Sequence, residues 1–452
     1  MLRAATPHLR GVIRSLVTHG DERLAVFEEV EMRPQDGEVS GAIAIDSVDT
    51  YQSVLGFGAA FTDAACFLID KLKTDEKKEF LTSIFSPSGL RLNCCRICIG
   101  SSDYATKAYS YADSGPDPER KSFTVEHDRA YIVPIIREAR KLNPELFLLA
   151  SPWSPPGWMK AGGDMLGGSM RRRYLAAYAD YFDKFLDAYG EMGVDVGAVS
   201  VQNEVDTDQE GLMPACIWTQ STESLFVAEH LGPKIAKRNP SPRIWILDHN
   251  YDLWGRVLSQ LAEPAVSKRV DGVAWHGYAG HPSAMSVVHR AYPEKHMYWT
   301  EGGPEDLKDP ALATNWGFWG SRFTAILRNW ARCIIAWNLA LDENGCPNIG
   351  PFPCAGLVTI NSATHEISLS GQYWALAHFS TAVHRDALRI GSRGGPKGVA
   401  HVAFRNPDGT CVLILTNPGK ERVVRVVMDA GKAAGIRVPR DSMVTALWRE
   451  VN

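Results

Sequence analysis

Residues 196–204 read VGAVSVQNE and residues 296–303 read HMYWTEGG, two short apolar runs of strand character that contain the glutamates Glu204 and Glu301 at their far ends. Uninterrupted apolar runs of this length are typical of parallel strands that are buried on both faces. In a barrel of such strands, the residues at the carboxyl ends form the active site. The two runs therefore predict a pair of carboxylates at one end of a parallel β-barrel.

Apolar runs of the same kind alternate with segments of helical pattern from about residue 52 onward. Together with the two runs above they number eight, the strand count of a (β/α)8 TIM barrel, which is an α/β fold. We predict that fold for the central part of the chain. The other six runs cover residues 53–61, 90–100, 146–153, 243–250, 271–278 and 333–341.

Two of the intervening segments have a clear helical pattern. Residues 172–190 place Tyr, Phe and Leu side chains at helical spacing, and Gly190 is the predicted C-cap. Residues 73–85 have a similar pattern, with Thr74 as the predicted N-cap. Both segments fit the outer helices that a barrel of this type requires.

The two ends of the chain have the pattern of antiparallel sheets instead. Residues 22–48 alternate in β fashion, and residues 401–429 are apolar runs joined by Asn-Pro-Asp-Gly and Asn-Pro-Gly turns. We predict that both ends form one side β-sandwich, with two separate β elements as the alternative. The predicted division of the chain is N-terminal strands of the side domain in 1–50, the catalytic barrel in 51–368, and the last barrel helix with the C-terminal sandwich in 369–452.

Composition and charge exclude several classes of protein. The chain has 452 residues, of which 45% are apolar, and a net charge of -4, which supports a full core and argues against disorder. It contains no long basic or acidic block, so we predict no nucleic-acid partner and no binding to an anionic membrane. No apolar run reaches transmembrane length. The sequence leaves the oligomeric state open.

The N-terminus and the cysteines bear on the cellular location. Residues 1–23 contain no apolar stretch of signal-peptide length. The nine cysteines are an odd number and lie mostly in apolar runs, which indicates reduced, buried thiols and a reducing compartment. Together these features predict a cytoplasmic protein, or a secreted one if a leader has been removed.

The last residues of the eight runs are rich in carboxylates, amides and aromatic rings. Aromatic faces can stack on sugar rings, and cleavage of a glycosidic bond needs two carboxylates. One of them protonates the leaving oxygen, and the other attacks or activates water. The composition therefore predicts a sugar-binding pocket. The residues at these ends are Asp63, Arg96 to Asp103, Trp153, Asn203, Glu204, Asp248, His249, His276, Tyr278, Glu301, Trp337 and Asn338.

The two glutamates differ in their neighbours. Glu204 follows the amide of Asn203 and suits a general acid/base, whose pKa burial against aromatic walls would raise. Glu301 suits the nucleophile, with Tyr278 and Arg96 as hydrogen-bond donors that keep it ionised. Sequence spacing alone does not distinguish the two roles.

Other interpretations compete with this one. A metal-dependent barrel hydrolase would use Asp248, His249, His276 and His281, but such sites need several ligands that converge, so we predict no metal and no cofactor. A catalytically silent carbohydrate-binding barrel is a further alternative, although a pure binder needs neither carboxylate. For Asp63 we prefer a structural role as a helix cap.

Seven motifs occur in an order that resembles glycoside hydrolase family 30, the glucosylceramidase-like enzymes, from about Leu55 to the C-terminus. The motifs are GFGAAFTDAA, RICIGSSDYA, ASPWSPPGWMK, VSVQNEVD, WTEGG, WNLALDENG and GLVTIN. The resemblance implies a (β/α)8 barrel with a side β-sandwich, a retaining mechanism, Glu204 as acid/base and Glu301 as nucleophile. It also implies a sugar-binding subsite that consists of Arg96, Asp103, Trp153, Asn203, Tyr278, Trp337 and Asn348.

Some of these positions have a structural alternative. Arg96 and Asp103 could form an ion pair that braces the barrel, and Trp153 and Trp337 could belong to the core. The loop at 206–216 lacks the aromatic residues that many relatives place there, which leaves the leaving-group preference open.

The expected function is that of a retaining β-glycoside hydrolase with a carbohydrate or glycoside substrate. We expect exo action on β-glucosides, as in glucosylceramidases, because an intracellular location implies small imported glycosides. The family also includes enzymes that cleave β-xylosides and β-1,6-glucan. A β-xylosidase or a β-1,6-glucanase is therefore the alternative.

Overall fold

The structure is a computed structural model that describes residues 9, 11–36, 40–117, 121–429 and 431–449. Much of the N-terminal segment on which the predicted cellular location rests lies outside the described residues. Within the described part, the chain forms a closed parallel barrel and a second β-structure that contains both ends.

Four strands precede the barrel. β1 (Val12–His19) and β2 (Glu22–Glu31) pair as an antiparallel hairpin. β3 (Arg33–Pro34) is a short edge strand, and β4 (Ile43–Ser53) leads into the barrel.

Each of the eight predicted runs forms one strand of the barrel, and all neighbouring pairs are parallel. The interior is packed with side chains, among them the rings of Trp245 and Tyr298, whose centroids lie 3.7 Å apart. The predicted barrel is therefore confirmed. Its strands are β5 (Gly56–Phe61), β6 (Cys94–Cys98), β7 (Phe147–Ser151), β8 (Ala198–Ser200), β9 (Arg243–Asn250), β10 (Gly272–His276), β11 (His296–Glu301) and β12 (Ala331–Asn338).

Helices cover the outside of the barrel and bury one face against it. In the fourth helix, for example, the buried residues are the apolar ones at helical spacing, from Ile132 to Ala139. The α-helices are α1 (Asp63–Lys71), α2 (Thr74–Phe85), α3 (Glu126–Ala130), α4 (Ile132–Leu142), α5 (Leu175–Glu191), α6 (Gln220–Leu225), α7 (Gly232–Ile235), α8 (Trp254–Leu261), α9 (Pro264–Ser267), α10 (Ser283–Ala291), α11 (Trp316–Arg328) and α12 (Gly371–Ser380). Shorter 3-10 helices span Gly157–Met159, Arg172–Tyr174, Gln209–Gly211 and Tyr251–Leu253, and a π-helix spans Phe226–Leu231.

Two predicted helix caps are wrong, by one and by two positions. Helix α2 begins at Thr74 itself, and the N-cap is Lys73, whose backbone N–H donates to Glu76 Oε2 at 3.1 Å. The Glu76 carboxylate thus satisfies a backbone donor at the start of the helix. Helix α5 includes Gly190 and ends at Glu191, so its C-cap is Met192.

The remaining strands follow the barrel. β13 (Ala340–Leu341), β14 (Val358–Ile360) and β15 (Ile367–Leu369) form a small sheet beside the barrel mouth. Six further strands join the N-terminal ones in a ten-stranded sheet with the order β2-β1-β21-β18-β17-β16-β4-β19-β20-β3. They are β16 (Leu388–Gly394), β17 (Ala400–Arg405), β18 (Thr410–Asn417), β19 (Arg422–Met428), β20 (Lys432–Val438) and β21 (Ser442–Arg449).

The ten-stranded sheet encloses a hydrophobic core of its own, with Ile13, Ile45, Leu413 and Trp448 among its members. The fold class predicted from the sequence, a barrel with a side β-sandwich built from both ends, is confirmed. Buried hydrogen bonds fasten the two parts together, because His378 on α12 contacts the hydroxyls of Thr18 and Thr445 at 2.9 and 2.8 Å.

The cysteines match the expectation of unpaired thiols. All nine are free; eight are buried, and Cys346 is exposed. In the part of the chain that the structure describes, no helix combines the length and the apolar character that crossing a membrane requires.

Candidate active site

A cavity of about 380 Å³ opens at the carboxyl ends of the barrel strands, which is within the usual size range of small-molecule sites. Seven of the nine residues predicted for the site line it. Its lining consists of Asp103, Trp153, Asn203, Glu204, Thr207, Gln209, Met213, His249, Asn250, Tyr278, Glu301, Glu305, Trp337, Phe352 and Cys354.

The floor of the cavity is organised by Asp248, a fully buried carboxylate on β9. Leu247 and Asp248 both have positive φ, and the pairing of β9 with β10 skips Asp248, so the strand bulges there and turns this carboxylate into the barrel. The contacts hold the pKa of the Asp248 carboxyl far below its usual range: burial opposes ionisation, but the guanidinium and imidazole beside it outweigh burial. The Asp248 carboxylate accepts hydrogen bonds from Arg96, Ser151, Ser200, His276 and Thr300.

Arg96 connects the carboxylate of Asp248 to that of Glu301. Its guanidinium is fully buried and donates to Asp248 Oδ2 at 2.6 Å, to Asn203 Oδ1 at 2.7 Å and to Glu301 Oε2. Arg96 therefore lies beneath the cavity rather than in its lining, and its ion pairs are with Asp248 and Glu301. The alternative of an Arg96–Asp103 ion pair is wrong.

Glu301, at the end of β11, also accepts a hydrogen bond from the Tyr278 hydroxyl at 3.1 Å. Its two oxygens thus have separate donors, and both come from residues that the sequence placed near it. Burial raises the pKa of the Glu301 carboxyl, and the positive charges of His276 and Arg96 only partly oppose that effect.

Glu204 follows β8 and reaches the same cavity from another side. It has a φ of +54°, in the left-handed region, and its backbone N–H donates to the Asp248 carbonyl at 2.9 Å. Its Oε2 accepts a hydrogen bond from Gln209 at 2.6 Å, and its Oε1 lies 3.4 Å from His276 Nδ1 and 3.5 Å from His249 Nδ1.

We expected burial to raise the pKa of Glu204, but this pKa is lowered. Burial favours the protonated acid, but the hydrogen bond from His276 and the charges of both histidines outweigh burial and lower the Glu204 pKa. His276 is the cause of this difference. Burial disfavours its charged form, yet the carboxylates of Glu301, Asp248 and Glu204 raise its pKa to about 9.

One wall of the cavity is aromatic. The rings of Trp153 and Trp337 stack with centroids 5.0 Å apart, and the Arg96 guanidinium lies 4.6 Å from the Trp153 ring. Both indoles are almost fully buried, yet they line the cavity, so the core and pocket interpretations both hold for them. Such a surface suits the apolar face of a sugar ring.

Asp103 lies at the same cavity with a polar atom left free. Its carboxyl is 3% exposed, and Oδ1 has no hydrogen-bond partner. Burial and the nearby charge of Glu301 raise its pKa well above the usual range. A buried carboxyl oxygen without a partner costs free energy, and a ligand hydroxyl in the cavity could satisfy it.

The other two predicted ligand residues differ in their placement. Asn203 uses its Oδ1 to accept from Arg96, which leaves its amide nitrogen to face the cavity. Asn348 is outside the lining: its Nδ2 donates to the Phe352 carbonyl at 2.7 Å, and its Oδ1 accepts from the Gly350 N–H at 2.7 Å. Its side chain braces the loop that carries Phe352, which itself lines the cavity.

Asp63 has a structural place, although not as a cap. Thr62 caps α1, because its side chain accepts from the Ala65 N–H. The Asp63 carboxylate instead accepts from the Thr106 backbone at 2.6 Å and contacts His127 Nε2 at 2.7 Å. These contacts hold the loop after β6 against α1.

Several lining residues were not found from the sequence. Gln209 begins a short 3-10 helix, Glu305 lies on a loop, and Asn250 follows the bulge in β9. Only Asn250 had a signal in the sequence, because it ends the run 243–250. Of the suggested metal ligands, His249 and His276 come together with Glu204, which was not among them, and the ligand atoms of the three lie within 4.8 Å of one another. Asp248 contacts the other nitrogen of His276, and His281 is exposed and contacts Ser283.

Comparison with known proteins places this geometry in context. The model of the glycosyl hydrolase family 30 TIM-barrel domain matches residues 54–383, and that of the family 30 beta sandwich domain matches residues 386–446. Endo-1,6-beta-D-glucanase of Neurospora crassa is 31% identical and aligns over 87% of this chain and 85% of its own length. Putative glucosylceramidase 3 of Caenorhabditis elegans is 29% identical, and the alignment covers 95% of this chain and 86% of that protein. The solved structure of the endo-beta1,6-glucanase BT3312 has a TM-score of 0.87 and 27% identity, and the alignment covers 97% of this chain and 99% of that one.

Proposed function

The chain belongs to glycosyl hydrolase family 30, and from that premise we propose that it is a retaining β-glucanase that cleaves β-1,6-linked glucosyl units. That it is a glycoside hydrolase follows from the family. The observation that carries the catalytic proposal is the convergence of Glu204 and Glu301 on one cavity, where both lie near the His276 ring at 3.4 and 3.8 Å.

The contacts of the two glutamates support a separate role for each. Glu301, held by Arg96 and Tyr278, attacks the anomeric carbon, while Glu204 protonates the departing oxygen. In the second step Glu204 takes a proton from water, and the resulting nucleophile releases the sugar from Glu301 with overall retention. Trp153, Trp337 and Asp103 hold the sugar that is transferred.

The lining around Glu204 supports a hydroxylated leaving group. Gln209 and His249 lie on the Glu204 side of the cavity, and both have hydrogen-bonding side chains. His249 Nδ1 has no partner within the protein. A second sugar can satisfy it, whereas an alkyl chain cannot. Similarity to two endo-1,6-glucanases points the same way.

This proposal replaces our first expectation of an exo-acting, glucosylceramidase-like enzyme. That expectation rested on a predicted intracellular location, and the relatives favour the β-1,6-glucanase alternative more strongly. Glucosylceramide hydrolysis stays as a second candidate, because the chain is also similar to putative glucosylceramidase 3 of Caenorhabditis elegans.

A substrate comparison tests the specificity. We expect β-1,6-glucan to lose chain length faster than it releases glucose, and hydrolysis of glucosylceramide and of aryl β-xylosides to be slower by at least tenfold in kcat/KM. Size-exclusion chromatography of the products measures the loss of glucan chain length, and the amount of released sugar measures the hydrolysis of the other substrates. Faster turnover of glucosylceramide than of the glucan would refute the proposal.

The catalytic roles are tested with azide, an external nucleophile. In Glu204→Ala, azide can attack the glycosyl-enzyme, so the product should be a glycosyl azide of retained configuration. In Glu301→Ala, azide occupies the place of the carboxylate and attacks the substrate directly, so the product should have inverted configuration. Proton NMR of the anomeric signal distinguishes the two. The opposite pattern would exchange the roles.

A further inference from the structure

Three potential metal ligands meet at the edge of the cavity: Glu204, His249 and His276. Glu204 Oε1 lies 3.4 Å from His276 Nδ1 and 3.5 Å from His249 Nδ1. The His276 contact is a long hydrogen bond. Both distances are also close to the separation of about 3.4 Å between two ligand atoms that are each about 2.1 Å from a tetrahedral metal ion. The ligand atoms of all three residues lie within 4.8 Å of one another.

Each imidazole turns its Nδ1 towards Glu204. His249 Nδ1 is buried and has no hydrogen-bond partner. His276 Nε2 lies 3.1 Å from Asp248 Oδ1, so that nitrogen can keep its proton when an ion displaces the one between Nδ1 and Glu204. A histidine ligand whose other nitrogen donates to a carboxylate is the usual arrangement around zinc, because the carboxylate fixes the tautomer and orients the ring.

The charges near the three ligands also favour a dication. Four carboxyl groups surround this part of the cavity, those of Asp103, Glu204, Asp248 and Glu301. Among the described residues, the guanidinium that pairs with them is that of Arg96, which contacts Asp248 and Glu301 and none of the three ligands. The other cation is the protonated His276, whose charge is lost when an ion replaces the proton on Nδ1. Burial of these groups strengthens their attraction for a cation.

We propose that Glu204, His249 and His276 bind a first-row transition metal ion, of which zinc is the type, and that this ion inhibits the enzyme. The ion takes an oxygen of Glu204 as a ligand, so that carboxyl can no longer transfer a proton to or from the leaving group. Two nitrogen ligands and one oxygen ligand suit zinc, with water in the fourth position. The binding site does not depend on the proposed function, whereas inhibition rests on the role proposed for Glu204.

Zinc binding is measured by calorimetry on the full chain after dialysis against a chelator. A Cys346→Ser background removes the exposed thiol as a competing ligand. We expect about one zinc ion per chain and a loss of affinity on the order of a hundredfold in His249→Asn, since changes to residues that merely support metal ligands already cost 10–100-fold. His281→Asn is the matched control, because His281 is exposed and contacts Ser283 rather than any of the three ligands. This variant should bind zinc as the parent does.

A second measurement reports the ligands directly. Cobalt(II) bound through two imidazoles and one carboxylate should give visible absorption bands that are absent from His249→Asn. Zinc should abolish glucan hydrolysis with the same midpoint as binding.

The outcomes separate the two proposals. Zinc binding that depends on His249 but leaves turnover intact supports the metal site and contradicts the role of Glu204. Equal zinc affinity in the parent and in His249→Asn overturns the metal site, whatever the activity shows.

Discussion

Replacement of Asp248 by Asn should destabilise the barrel much more than removal of one charged side chain from the surface does. The carboxylate is fully buried and pairs with Arg96, which is itself fully buried. Loss of one partner from a buried ion pair costs about 3–5 kcal/mol, because the remaining charge is left without compensation. We expect that decrease in the free energy of unfolding of Asp248→Asn at pH 6.

The loss should depend on pH through His276. Its pKa is raised to about 9 in the folded protein, so its charge contributes stability that is fully present below its unfolded pKa of about 6.5 and is lost as the pH rises through 9. At pH 6 the variant therefore buries two cations, Arg96 and His276, without the carboxylate of Asp248 that contacts both. At pH 9.5 mainly Arg96 is charged, so the difference between parent and variant should be smaller.

Urea denaturation followed by tryptophan fluorescence at pH 6 and pH 9.5 measures both effects. The control is Asp195→Asn. Asp195 forms an ion pair with Arg140, and the Asp195 side chain is 72% exposed. It should cost less than about 1 kcal/mol. A loss below about 1 kcal/mol in Asp248→Asn, or a loss that is the same at both pH values, would refute the reasoning.

Three further changes test other parts of the site. In Asp103→Asn, kcat/KM should fall about 2–10-fold, the equivalent of one hydrogen bond between uncharged groups, because the raised pKa of Asp103 favours its uncharged form; unchanged kinetics would contradict sugar contact. Burial of Asp103 penalises the folded state above pH 4, so this substitution should raise the melting temperature more at pH 7 than at pH 4. In Tyr278→Phe, Glu301 loses a donor at 3.1 Å, so kcat should fall on the order of tenfold with little change in KM; a change confined to KM would mean that Tyr278 binds the sugar instead. In Lys160→Met, the carbonyls of Met165 and Ala215 each lose a donor at 2.6 Å, so the melting temperature should fall and KM for glucan should rise. A variant with the same melting temperature as the parent would show that Lys160 does not hold these loops.

The barrel could be predicted from the sequence because its strands are buried on both faces and read as uninterrupted apolar runs. The same pattern located Glu204 and Glu301, since a carboxylate at the far end of such a run can only lie near the mouth of the barrel. Asn203, Trp153 and Trp337 were found by the same reasoning, and all line the cavity.

The role of Asp248 could not be predicted, because it depends on a bulge. The pairing of β9 and β10 skips this residue, and nothing in the letters LDHN indicates an extra residue in the strand. Gln209 was missed for a related reason: it contacts Glu204 from a loop whose course is set by tertiary packing. The family resemblance gave Asn348 a place in the subsite, yet its amide is used within its own loop.

The charges on the cavity floor explain how this site can hold one protonated and one ionised glutamate. Arg96 and His276 carry two positive charges, and Asp248 carries one negative charge, so the floor has a net charge of about +1. One ionised glutamate balances that charge, whereas a second would add an uncompensated buried anion. The two pKa shifts agree with this balance of charge, because the pKa of Glu204 is lowered and that of Glu301 is raised.

Local contacts decide the order of the two pKa values. His276 and Gln209 favour ionised Glu204, and burial favours protonated Glu301. A glycoside would place an oxygen acceptor beside Glu204 and exclude water there, which favours the protonated acid on that side. Arg96 and Tyr278 donate to Glu301 and stabilise its ionised form. A bound glycoside should therefore raise the pKa of Glu204 relative to that of Glu301, which is the order that the proposed double displacement needs.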